Sequence, residues 1–133
     1  MLEEFNYNKD WEKRDKLIFG EANIEKYKWG GIYHFEKMDV DTLKALLDEK
    51  FADPEEQQND APCIKEFYEF MVDHPNFVAH GYAVSPERDD YRVSIEGVDG
   101  TYAEKDMETI KDFIDLFRYA DEFDVETLYC WYD

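Results

Sequence analysis

Three histidines, His34, His74 and His80, supply all the imidazole in a chain of 133 residues, and any metal site or imidazole acid–base pair would have to use them. None stands in an HExxH or comparable spacing. Asp73 and His74 would meet His80 on one cation only if the chain between them folded back, and Pro75 to Ala79 reads as a direct run into a strand. His74 suits the C-terminus of a helix, where its charge favours the dipole, and His80 suits a core-facing position with one hydrogen bond. No metal and no cofactor is expected.

Nucleophiles are equally sparse. The two serines, Ser85 and Ser94, lie outside any GxSxG elbow. Cys63 falls on the apolar stripe of a predicted helix and Cys130 in an aromatic terminal segment, where a thiolate is poorly stabilised. They are 67 positions apart with no CxxC pair, which predicts two reduced, buried thiols. Gly30-Gly31 precedes a strand and not a helix N-terminus, so it makes no phosphate cradle. Carboxylate pairs such as Asp89-Asp90 discriminate nothing in a chain with 34 acids. These observations lean away from an enzyme.

Charge says more. The net charge is −19, and residues 51–133 hold 22 acids against 6 bases while residues 1–50 hold 12 against 9. Such a field repels nucleic acid phosphates and anionic lipid, and attracts basic protein surfaces. Direct nucleic acid binding and membrane association are therefore not expected. No apolar run approaches the roughly 20 residues a membrane span needs, and the N-terminus lacks the order of a signal peptide, so a cytoplasmic protein is expected.

The elements that must position these groups follow from period and punctuation. With 44% hydrophobic and 17% aromatic residues the chain can bury one core, and residues 1–133 are read as a single domain. Within it, residues 1–29 form an arm or helix of uncertain packing, with Asn8 as a possible cap and Gly20 as a stop, ahead of an α+β core over 30–133. Gly30 to Met38 predicts a strand. Val40, Leu43, Leu47 and Phe51 at helical spacing behind Asp39 predict a helix, and residues 52–62 a loop. Asp60 and Pro62 predict the start of a second core helix running to residue 73. Alternation over Phe77–Val84 and Tyr91–Gly97 predicts a hairpin, with Val84 opposite Tyr91, Tyr82 opposite Val93 and His80 opposite Ile95 on the core side. A capping box at Thr101 and Glu104 predicts a helix to about Ala120, buried along Ala103, Met107, Ile110, Phe113, Ile114 and Phe117. Residues 126–133 read as a terminal strand.

This order, with one extra helix set aside, predicts a four-stranded antiparallel sheet with helices packed on one face, in the split βαβ order of a ferredoxin-like sandwich. The first strand would then lie beside Tyr91–Gly97. An open face would gather His34, Arg92, Ser94 and Glu96, with Tyr129 or Trp131 alongside, unless residues 1–29 cover it. On the last helix Glu108, Asp112, Asp115 and Glu122, with Tyr119, fall in one narrow band, the carboxylates about 6, 4.5 and 10.5 Å apart along the axis. Spaced negative charge of that kind can imitate nucleic acid phosphates or simply face water.

The expected function is a non-enzymatic acidic binding protein docking on a basic protein surface, for instance a nucleic acid mimic or a nuclease-inhibiting immunity-type protein. A small enzyme or ligand-binding domain using the open face around His34, Arg92 and Glu96 competes with it. So does a general interaction module whose acidity serves only solubility.

Overall fold

Asp39 marks where sequence and structure agree most closely. Its carboxylate accepts the Thr42 N–H at 2.8 Å and starts helix α2, Val40–Asp48, which buries Leu43 and Leu46. The computed structural model describes residues 5–133. Before α2 come helix α1, Trp11–Phe19, a 3₁₀ turn, Ile24–Tyr27, and strand β1, Ile32–Met38. After it come α3, Ile64–Asp73, β2, Val78–Val84, β3, Val93–Asp99, α4, Met107–Phe117, β4, Glu122–Asp124, and β5, Tyr129–Trp131. No helix among the described residues is long and apolar enough to cross a membrane.

Three expected helix starts are displaced, each because a different side chain reaches the free N–H groups. Asp10, not Asn8, caps α1; Asn8 instead accepts from the Asp10 N–H. Helix α3 begins after Cys63, whose N–H is held by the Glu66 carboxylate at 3.1 Å, so Asp60 and Pro62 stay in the loop and Cys63 is half-buried at a helix end. Thr101 closes a turn onto the Asp99 carboxylate, and Asp106 caps α4 by accepting the Thr109 N–H at 2.8 Å. Met107 is therefore 88% exposed at the start of the helix, and the buried side is Thr109, Phe113 and Phe117.

The sheet is antiparallel and has five strands in the order β1-β2-β3-β5-β4, which replaces the expected four-stranded, ferredoxin-like order. The helix that was set aside explains the difference. One helix between two strands returns the chain parallel to its start, whereas two helices, α2 and α3, return it antiparallel. Strand β2 thus pairs directly with β1, Phe35 opposite Gly81, and fills the place expected for β3. The fifth strand, β4, forms a tight hairpin with β5 in which Asp124 accepts the Glu126 N–H.

The β2–β3 hairpin is one residue off its expected register. Ala83 faces Val93, Tyr82 faces Ser94 and Gly81 faces Ile95, and a bulge at Glu96 then sets His80 opposite Gly97. Tyr91 leaves the ladder: its hydroxyl donates to the Asn8 carbonyl at 2.9 Å and its ring lies 4.6 Å from the Arg14 guanidinium. Since side chains alternate with period two, the slip exchanges the faces of β2. Ala79 and Ala83 join the core with Phe35, Val93, Ile95, Val98 and Cys130, under Leu43, Phe67, Phe113 and Phe117 of the helices. Tyr82 and His80 turn to the opposite, open face.

Residues 5–29 leave the end of that face around His34 and His80 uncovered, while Tyr7 comes near Glu56 and Arg92 at the other end. Helix α1 packs against α2 and β1, tied down by a wholly buried Arg14 and Asp15. The Arg14 guanidinium donates to Asp15 at 2.9 Å, to the Val84 carbonyl at 2.9 Å and to the Tyr27 hydroxyl at 2.7 Å, and that hydroxyl donates to Asp15 at 2.7 Å. Every ion here has a partner, the condition under which a buried pair is tolerated.

Arg14→Met leaves the Asp15 carboxylate buried without its cation and is expected to cost about 3–5 kcal/mol in urea unfolding. Replacing Asp15 by Leu and Tyr27 by Phe as well removes the stranded polar groups, and this triple variant is expected to lose less than the single one. A single variant within about 1 kcal/mol of the parent would show that the knot does not hold the N-terminal helix.

Candidate functional site

A shallow cavity of about 580 Å³ opens on the uncovered face of the sheet. Each strand at this end contributes: His34 from β1, His80 from β2, Glu96 from the bulge in β3, and Tyr129 and Trp131 from β5, with Tyr102 from the turn that follows β3. The bulge is what aims Glu96 at this face next to Gly97. A Cβ on Gly97 would sit 1.9 Å from the Cys130 carbonyl oxygen and 2.6 Å from His80 Nε2, so only glycine lets the ring approach.

His80 Nε2 lies 2.8 Å from the Cys130 carbonyl oxygen and therefore carries the proton that it donates. Its ring stacks on Tyr129, centroids 5.3 Å apart at 13°. Burial pushes its pKa below the ordinary 6.5, only partly offset by that carbonyl and by Glu96. Half-buried on the open face, His80 is thus not the core-facing residue that the expected register implied. Glu96 is 9% exposed, and its nearest cation is His34 Nδ1 at 3.6 Å, beyond hydrogen-bond length. Beneath the sheet the Cys130 thiol is pushed up to about 12 by burial, which removes it as a nucleophile. Among the described residues no group of three or more His, Cys, Asp or Glu is arranged to hold a metal ion.

Of the expected open-face residues, His34, Glu96 and Trp131 line the cavity together, and Arg92 and Ser94 do not. Arg92 sits at the other end of the face, donating to Ser94 at 3.1 Å, to the Tyr82 hydroxyl at 2.9 Å and to Asp90 at 3.0 Å. Glu56 and Gln58 of the loop between α2 and α3 reach over to it: Glu56 is 3.5 Å from Arg92 and Gln58 accepts from Tyr82 at 2.8 Å. Burial raises the pKa of Glu56, one of whose oxygens has no hydrogen-bond partner. This end of the face is sealed. Tyr129, named as an alternative to Trp131, lines the cavity together with it, whereas His80 and Tyr102 were not foreseen as neighbours of Glu96. The sign for them was the Glu96-Gly97 pair inside a strand, where an interior glycine marks a bulge or a close approach.

The expected acidic band is divided. Glu108 is exposed in the first turn of α4, Asp112 is bound to His74 Nε2 at 2.9 Å, and Asp115 pairs with Lys111 at 2.9 Å. Tyr119 lies beyond the helix, 80% exposed, and Glu122 belongs to β4, opposite Trp131. Asp112 and Asp115 instead face α3 across a groove. Asp73, Glu104, Asp106, Glu108 and Asp112 line about 440 Å³ of it, and Glu66, Glu69 and Asp115 continue it for about 330 Å³ past the shared Asp73, His74 and Asp112. Eight carboxylates line the groove and no lysine or arginine does. Lys65, Lys105 and Lys111 stand outside it.

The lowered pKa of His80 predicts a direction for stability. An unfolded chain takes up this proton near pH 6.5, before the folded one does, so the stabilisation is present above that pH and is lost as pH falls through it. A histidine NMR titration is expected to show His80 less than half protonated at pH 6.5, and His80→Gln to flatten the fall in stability as pH drops below that value. Titration of His80 above pH 6.5 would contradict the effect of burial.

Comparison of the chain with protein-family models, with curated proteins and with solved structures finds no match.

Proposed function

We propose that this is a non-enzymatic acidic binding protein that docks on a basic protein surface through the groove between α3 and α4, in the cytoplasm. The observation that carries the reading is the lining of that groove, eight carboxylates with no lysine or arginine among them. A groove of one sign with protein walls focuses field lines and draws a cationic surface in at long range. Glu69, Asp73, Glu104 and Glu108 support it further, since they are exposed and make no hydrogen bond or ion pair among the described residues. Val72 at 50% exposure and Met107 at 88% adjoin the groove in sequence and add apolar area of the sort that interfaces bury. A partner surface that handles nucleic acid or belongs to a nuclease has matching chemistry, and occupying it would make the protein an inhibitor by phosphate mimicry. The unit of mimicry is the two-helix groove and not one helical band, because Asp112 and Asp115 are half committed to His74 and Lys111.

A Lys/Arg-rich helical peptide, followed by fluorescence anisotropy over a range of salt, tests the reading. Neutralising Glu69, Asp73, Glu104 and Glu108 together as Gln, Asn, Gln and Gln is expected to slow association about tenfold at low salt and to flatten its salt dependence. The charge-matched control, Glu12, Glu21, Glu25 and Glu87 all to Gln, is expected to keep most of the affinity. Asp106 and Asp112 are left in place because they hold the α4 N-terminus and His74. Equal losses in the two variants would mean that only the overall charge attracts the peptide, and the groove would lose its role.

A further inference from the structure

We infer that the cavity on the open sheet face is a binding site for an alkylguanidinium group, the chemistry of an arginine side chain, held by the Glu96 carboxylate between the aromatic side chains of Tyr129 and Trp131. This site is on the other face of the sheet from the α3–α4 groove and does not depend on it. Three observations select the ligand class. The first is Glu96 itself, about nine-tenths buried, whose carboxylate lines the cavity and makes no hydrogen bond to another described residue. A carboxylate so placed gains most from a cation that brings its own N–H donors. His34 does not fill that role, being 61% exposed in its side chain, 3.6 Å away, and charged only when protonated.

The second observation is the sign of the lining. Glu36, Glu96 and Asp99 stand against Lys37 alone, and His80 is kept neutral by burial, so phosphates and carboxylates are repelled. The third is its aromatic content. Tyr102, Tyr129 and Trp131 line the opening, and Tyr129 is already held flat by its stack on His80. Aromatic faces favour a cation, and a planar, weakly hydrated guanidinium above a compact ammonium. The volume of about 580 Å³ suits a head group with an aliphatic stem and is far larger than a bare ion needs.

Two sources can present this group, a free guanidino compound or an arginine on a protein, and the experiment separates them. The full chain is titrated with agmatine and with acetyl-Gly-Arg-Gly-amide, following the Trp131 indole N–H, assigned through Trp131→Phe, and the backbone amides of Glu96 and Gly97 by NMR. Saturable shifts at these three positions are expected for at least one probe. Response to agmatine alone assigns a small-molecule ligand, and response to the peptide, with or without agmatine, an arginine side chain. Glu96→Gln, which keeps shape and removes charge, is expected to weaken binding about tenfold or more, and Tyr129→Leu to weaken it in the same direction. The four-site groove variant is expected to bind as the parent does, which keeps this result separate from the groove reading. Shifts that never saturate, undiminished binding by Glu96→Gln, or an equal response to propionate would overturn the assignment.

Discussion

Two helices stand between β1 and β2, and their number being even is the constraint from which the rest of the arrangement follows. Strand β2 must come back antiparallel and can pair with β1 directly. The next connection is a hairpin, so β3 lies on the far side of β2, and the short β5–β4 hairpin is left to extend the sheet beyond β3. Helices α2, α3 and α4 all pack on one face. Their aromatic seam is closely knit, with Phe67 on Phe117 at 5.5 Å, Phe70 on Phe77 at 4.8 Å and Phe113 on Phe123 at 5.2 Å. Offset and edge contacts at these distances add to the area each ring buries. The other face is left without a layer, and the fold has to seal or use it.

It does both, at opposite ends. On β3, strand β5 pairs with Gly97–Asp99 alone, which leaves the first half of β3 without a strand neighbour on that side. There the loop before α3 bends across, and Arg92 satisfies Tyr82, Ser94, Asp90 and Glu56 at once, as a forked guanidinium can and an ammonium cannot. At the other end the bulge at Glu96 adds one residue, Gly97 removes a side chain, and the surface dips. Seal and cavity are thus consequences of one irregular ladder. The backbone of Glu96 is itself held where β5 ends, its carbonyl accepting the Tyr132 N–H at 2.7 Å.

Most elements were legible because their signals are local. Asp39 ahead of an apolar period, Gly20 at a positive φ of 78°, and the Ser85–Asp90 turn between two alternating runs specify their neighbourhoods without help. Strand order was not legible, since it turned on whether the extra helix is an ornament or half of a connection. Register was lost by one residue because Tyr91, which alternates correctly with Val93, is drawn out of the ladder by Asn8 and Arg14, more than 75 positions away. Thr101 and Glu104 have capping-box spacing, yet Asp99 and Asp106 compete for the same backbone and prevail. Much of the candidate cavity was visible as alternation, in His34, Glu96 and the Tyr129/Trp131 pair of β5. The part contributed by His80 depended on the register of β2 and β3 and on the bulge between them.

The acidity of the chain divides along chemical lines that composition alone conceals. Aspartates, with short side chains, do local backbone work: Asp10, Asp39 and Asp106 cap helices, and Asp53, Asp99 and Asp124 close turns. Asp15, Asp48, Asp90, Asp112 and Asp115 are in ion pairs. A large part of the negative charge is therefore fold-making, and reading all of it as a recognition signal would overcount. Under the proposed function, what remains for recognition is the set whose removal leaves neither a backbone group nor a charged side chain without its partner, and in the α3–α4 groove that set is Glu69, Asp73, Glu104 and Glu108. Mutual repulsion among four such charges costs the folded chain stability. The dipole of α4 offsets part of that cost for Glu108 in its first turn, and among the described residues none of the four makes an ion pair that would offset the rest.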